Sequence, residues 1–128
     1  MKTSNNKNLI SFFVFLFILI MSPACRKEGT GGKSSVSGNV KHHSKLIPNT
    51  IVYIKYEATE FPGTNTSVYD ASVTADANAH FEFRDLRKGD YFLYGVGYDN
   101  TIFETVTGGI GVNLKYNKET TVDVPVTE

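Results

Sequence analysis

From Val36 onward the sequence predicts an all-β domain, a Greek-key β-sandwich of about seven to eight strands. Three observations predict it. Apolar residues recur with a period of two rather than 3.6. Turn signals interrupt the chain every nine to fourteen residues, the spacing of short antiparallel strands. All seven Tyr and five of the nine Phe lie in this part, and with its many β-branched residues they favour a pleated, half-buried surface. No window from residue 36 on supports a helix of three turns.

The strands follow in order. Val36 and Val40 alternate with Ser37 and Asn39 around Gly38. "IVYIKYE", Ile51 to Glu57, places Val52, Ile54 and Tyr56 on one face. "VYDASVTA" sets Tyr69, Ala71 and Val73 against Asp70, Ser72 and Thr74. "HFEFR" puts Phe81 and Phe83 on one side. "DYFLYGVGY" and "TIFETV" come next. "IGVNLKY" groups Ile110, Val112, Leu114 and Tyr116, and "TVDVPVT" groups Val122, Val124 and Val126. Turns are expected at Pro48-Asn49, Pro62-Gly63, Asp76 to Asn78, Lys88-Gly89, Asp99-Asn100, Gly108-Gly109 and Asn117-Lys118. Pro125 cannot donate to a ladder, so the last strand is expected at an edge.

Val73 to Asp99 carries a more specific pattern. Asp76-Ala-Asn78 is followed by Phe81 and Phe83, Leu86, Gly89, Tyr91 and Leu93. With "SGNV" and "IPNTIVYI" upstream, it resembles carboxypeptidase regulatory-like and transthyretin-like (prealbumin-like) domains over roughly residues 36 to 126. The resemblance implies the sandwich, not a chemistry. Ala79 stands where that family has Gly, so the left-handed turn residue is expected on Asn78. Tyr91, just past Gly89, is read as a structural tyrosine whose hydroxyl bonds back to the preceding loop.

The N-terminus is different chemistry. Lys2 and Lys7 precede an apolar run from Leu9 to Met21, broken only by Ser11. Thirteen residues are short for a helix that must cross about 30 Å of hydrocarbon. Basic, apolar, then small residues is the layout of a secretory signal. A core helix would show a polar face, and this run has none.

Ser22-Pro23-Ala24 then leads into Cys25, the single cysteine of the chain. Small residues before a cysteine resemble the lipobox of bacterial lipoproteins. That resemblance implies a diacylglycerol on the Cys25 sulfur and a mature chain starting there. Ser22 departs from the large aliphatic usual at its position, and Ser22 with Ala24 also fits ordinary small-x-small cleavage. A lone cysteine in an oxidising compartment needs a reason, and lipidation supplies one.

The expected organisation is therefore a lipoprotein signal peptide over 1–24, a flexible Gly/Ser tether over 25–35 and the sandwich over 36–128. A tether of about nine residues would have a mean reach of roughly 16 Å. The implied location is the cell envelope, lipid-anchored to a bacterial membrane, in particular the outer membrane of a Gram-negative bacterium.

Thirteen Lys/Arg balance thirteen Asp/Glu, so nothing points to a nucleic-acid partner. An enzyme is not expected. His42, His43 and His80 are the only histidines; the first two are neighbours that would point apart along a strand, and no His-x-x-Glu occurs. The C-terminal Tyr-Arg-Gly-Ser of transthyretin-like hydrolases is missing, and no nucleophile elbow frames a serine. Asp70, Asp76, Asp90, Asp99 and Asn100 fall at turns, but no Asp-x-Asp-x-Asp-Gly loop appears, and turn aspartates ordinarily accept backbone N–H groups. No metal or cofactor is expected.

The aromatic surplus raises a binding face. If Tyr91 and Leu93 face the core, strict alternation turns Phe92, Tyr94, Val96 and Tyr98 outward, with Tyr53 on a neighbouring strand. Exposed aromatic stripes mark interaction sites. A bulge at Gly95 or Gly97, or a covering segment, would bury part of it instead. The functional expectation is a non-catalytic envelope lipoprotein acting as a structural or protein-interaction module. The alternative is a carbohydrate-binding lipoprotein that uses Tyr53, Phe92, Tyr94 and Tyr98.

Overall fold

A computed structural model describes residues 27–128. The signal peptide expected over 1–24 and the lipidation expected at Cys25 lie outside the described residues. The fold is an all-β sandwich, and no α-helix occurs among the described residues. Its strands are β1 (Thr30–His42), β2 (Lys45–Leu46), β3 (Ile51–Tyr56), β4 (Ala71–Thr74), β5 (His80–Leu86), β6 (Gly89–Asp99), β7 (Glu104–Leu114), β8 (Glu119–Thr121) and β9 (Val124–Val126).

One sheet has the order β4-β3-β6-β7, antiparallel throughout. The other is built on β1. β5 and β2 pair with it antiparallel, and β8 and β9 pair with it in parallel. The inner faces meet as the alternation requires. Val36, Val40, Phe81, Phe83, Val124 and Val126 from one sheet bury against Val52, Ile54, Tyr91, Leu93 and Val106 from the other.

Four expectations are corrected. The tether over 25–35 does not hold for its described part, because β1 begins at Thr30. Arg87 N–H donates to the Gly29 carbonyl at 2.8 Å and Ser35 N–H to the Lys118 carbonyl at 3.1 Å. The Ser34 hydroxyl donates to the Lys115 carbonyl at 2.5 Å. The glycines that suggested a linker instead make an irregularity, since Thr30 and Ser34 both pair with Leu86 and Gly31 sits at φ 100°. The folded unit therefore reaches back to Lys27.

Gly108-Gly109 is not a turn. β7 runs straight through it, with Gly108 opposite Gly95 and Gly109 opposite Tyr94. A Cβ on Gly108 would overlap the Pro125 carbonyl oxygen, so this glycine lets β9 close against β7. "TIFETV" and "IGVNLKY" are thus not two strands. Thr101 to Phe103 is turn, and β7 supplies the rest.

The left-handed residue at the β4–β5 turn is Ala79, at φ 60°, not Asn78. The Asp76 carboxylate accepts Asn78 N–H at 2.8 Å and His80 N–H at 2.9 Å. Ala79 N–H donates to the Asp76 carbonyl at 3.0 Å. Closing that ring leaves Ala79 as the residue that must reverse.

The last strand is two pieces. Val122 N–H donates to the Ser37 carbonyl, and Asn39 N–H turns instead to the Asp123 carboxylate at 3.1 Å. Pro125 is exposed on the outer side of β9, as an edge position requires.

Candidate functional site

Alternation along β6 holds without a bulge. Pairing is continuous with β3 from Tyr91 to Val96 and with β7 from Gly89 to Asp99. Tyr91 and Leu93 are buried inward, so Phe92, Tyr94, Val96 and Tyr98 do share the outer face. Tyr53 lies directly opposite Tyr94 on the same face.

The exposure expected of that stripe is corrected. Phe92 is 7% exposed and Tyr94 3%, and Tyr53 is half-buried. The β3–β4 connection folds back over them. Tyr69 stacks on Tyr94 with centroids 5.5 Å apart and planes 15° apart, and also meets Tyr53 at 5.7 Å. Phe61 lies 5.2 Å from Tyr94 and 5.9 Å from Phe92. The Tyr69 hydroxyl donates to the Gly63 carbonyl at 2.8 Å and pins the roof to itself. Burial, with Tyr94 beside it, pushes the Tyr69 phenol up to about 12. These five rings form an outer aromatic cluster that covers Phe92 and Tyr94, with Phe61 itself half exposed at its surface, rather than an open platform.

Beyond the roof the same face is bare. Tyr98 is 48% exposed, and Ile51, opposite Val96, is also exposed. Thr105 stands opposite Tyr98 and Thr107 opposite Val96. The β6–β7 hairpin then ends in two further apolar residues, Ile102 and Phe103, the latter 76% exposed. Phe103 holds φ 57°, and its N–H closes the turn on the Asp99 carbonyl. Sequence reading placed Ile102 and Phe103 inside a strand and so missed them. The signal available was an apolar pair next to Asp99-Asn100.

The same end of the sandwich holds the most perturbed ionisable group. Asp99 is 2% exposed and accepts from the His42 ring Nδ1 at 2.9 Å and from Lys45 Nζ at 2.6 Å. The Thr101 hydroxyl and N–H complete its shell at 2.6 and 2.8 Å. The His42 bond, then Lys45 and Thr101, hold the Asp99 carboxyl far below the usual range. The same bond raises His42.

His42 Nε2 faces Glu128 at 2.6 Å, close enough for an ion pair but off the line of a hydrogen bond. A His–Asp pair of this kind could serve a nucleophile on Nε2. Here a carboxylate fills that position, so the pair ties β1, β6 and the C-terminus together.

The other turn acids are engaged as well. Asp70 accepts Tyr56 N–H at 2.7 Å, and Asp90 accepts the Asn113 amide at 2.8 Å. Among the described residues no group of His, Cys, Asp and Glu is arranged to hold a metal ion.

No family model and no curated protein matches the chain. Among solved structures it is similar to a Pseudomonas aeruginosa protein provisionally described as carbohydrate binding. That likeness has a TM-score of 0.47 and 16% identity, and it covers 76% of this chain and 90% of the other.

Proposed function

We propose that this chain is a non-catalytic, lipid-anchored envelope lipoprotein whose sandwich presents the β6–β7 hairpin to a protein partner. The observation that carries the partner reading is the exposure of Ile102 and Phe103 beside Tyr98. Hairpin tips ordinarily carry polar turn residues, and an apolar tip gains nothing from the fold. The tip lies at the opposite end of the sandwich from Lys27, where the chain enters, so an anchor at Cys25 leaves it pointing away from a membrane.

The strand orders β4-β3-β6-β7 and β5-β1-β8/β9 support the resemblance to carboxypeptidase regulatory-like and transthyretin-like domains. The Glu128 carboxylate against His42 supports the non-catalytic reading.

A second reading rests on Tyr98. Its half-exposed ring, with Thr105 opposite, is a surface on which a sugar could stack. The test is photo-crosslinking from position 100, an exposed position of the same turn, in cells, beside the same probe in a chain carrying Ile102→Ser with Phe103→Ser. One reproducible protein adduct, lost in the double variant, is the expected result. Absence of an adduct, with saturable quenching of tyrosine fluorescence by an oligosaccharide that Tyr98→Ser abolishes, replaces this reading with the glycan one.

A further inference from the structure

We infer that the end of the sandwich at which the chain enters is a docking surface for an anionic lipid bilayer, seated by a ring of cations around Tyr116. The inference rests on the lipid-anchor reading of Cys25.

Charge gives the first argument. Apart from Lys2, Lys7 and Arg26, all charged residues lie in 27–128, where ten Lys/Arg face thirteen Asp/Glu, a net charge of −3. Six of those ten cations nevertheless gather at one end: Lys27, Lys33, Arg87, Lys88, Lys115 and Lys118. They come from three places that the topology stacks together. These are the entry into β1, the β5–β6 turn and the β7–β8 turn. All but Arg87 are exposed. Glu28, Glu57, Asp85, Asp90 and Glu119 share this end, leaving it an excess of one positive charge, whereas the rest of the domain carries four cations against eight acids.

Shape gives the second. Lys33, Arg87, Lys88 and Lys115, with Glu28 as the one acid among them, line an open cleft of about 920 Å³ together with Tyr116, which is 65% exposed. A tyrosine with a bare ring among lysines suits the headgroup layer, where its ring meets acyl chains and its hydroxyl meets water.

Reach gives the third. Lys27, the first of the described residues, is already held by the fold, its carbonyl accepting from Arg87 Nη1 at 3.1 Å. Two residue steps separate Lys27 from Cys25, and two steps span at most about 7 Å. That is inside the roughly 8 Å over which a surface charge is felt at physiological ionic strength. An anchored chain of this length cannot lift its cationic end clear of the headgroups. Juxtamembrane lysines and arginines are drawn to anionic lipid at that range.

The chain has no tryptophan, so Tyr116→Trp makes a single-site reporter and Phe103→Trp its control at the opposite end. Each full-length variant is purified from its native membrane, weighed intact and reconstituted into two kinds of vesicle. One is phosphatidylcholine alone, and the other contains about 30% phosphatidylglycerol. The expected result is acyl mass on Cys25 and blue-shifted emission at position 116 in the anionic vesicles. Quenching by acrylamide there should fall several-fold, with no change at position 103. Adding Lys33→Glu with Lys115→Glu should return position 116 to its phosphatidylcholine spectrum. Acyl mass with identical emission in both vesicles overturns the docking surface and leaves the anchor standing. Absence of acyl mass overturns the anchor, and the docking surface with it.

Discussion

Ala79 shows how a single side chain can hide from the pattern around it. Asparagine tolerates the left-handed region better than alanine, which favours Asn78 on local grounds. The Asp76 carboxylate decides otherwise, because it takes the N–H groups of both Asn78 and His80. Alanine accepts the strain because its methyl is fully buried in the core.

Tyr91 was legible, and for a sound reason. Its hydroxyl donates to the Arg87 carbonyl at 2.6 Å and accepts Gly29 N–H at 2.8 Å. The first bond is local and readable; the second spans 62 positions and is not. Tyr91→Phe should cost about 1–3 kcal/mol in denaturant unfolding, since it strands a buried N–H and a carbonyl.

His42 gives a pH signature. Its folded pKa is raised above 6.5 through the Asp99 bond. Its contribution is therefore fully present below pH 6.5 and is lost as pH rises through the folded value. The gap in unfolding midpoint between wild type and His42→Gln should be wider at about pH 5.5 than at about pH 9. Equal gaps at both would mean that the pair is held by packing alone.

Elements were legible where they alternate and illegible where tertiary contacts override composition. Val52, Ile54, Phe81, Phe83, Leu93 and Val124 all face inward as their spacing requires. The first half of β1 could not be found that way, because Thr30 to Ser35 contains no apolar residue. Its place is set by β5 and β8 on either side and by the carbonyls of Lys115 and Lys118.

A tether would be cut by trypsin at Lys33 within minutes, whereas a paired strand resists until the domain opens. Native digestion should leave the Lys33–Ser34 bond intact while denatured protein is cut there. The C-terminal break has its own mark in Gly38, whose Cβ would overlap the Val122 carbonyl oxygen. Gly38→Ala should lower stability by at least about 2 kcal/mol in denaturant unfolding, because β8 and β9 must move off β1. The roof over Phe92 and Tyr94 was likewise invisible. The connection from Glu57 to Asp70 has no period, and Phe61 and Tyr69 become a lid only once β3 and β6 supply rings beneath them.

At the scale of the molecule the sandwich has two unlike ends, and the distal one is built against its own stability. Phe103 pays twice. A bulky residue at φ 57° is a conformation L side chains disfavour, and 76% of its surface stays in water. Ala79 at φ 60° is buried, and His43, Asn49, Glu57, Asp85 and Asn117, in the same backbone region, are exposed but polar, so Phe103 is the one apolar residue of this set left in water among the described residues. Strain kept on an exposed apolar residue is expected where a surface serves something other than the fold. Phe103→Asn separates the two demands, since asparagine accepts the left-handed region and prefers water. The variant should unfold about 0.5–1 kcal/mol later than wild type in denaturant. It should also lose the protein adduct that a photo-crosslinker at position 102 captures in the Phe103 chain. A gain in stability with capture unchanged would show that the ring is mere surface and move the partner's footprint to Tyr98 and Ile51. A loss of stability would show that Phe103 packs on the hairpin, and the tip would then be structural.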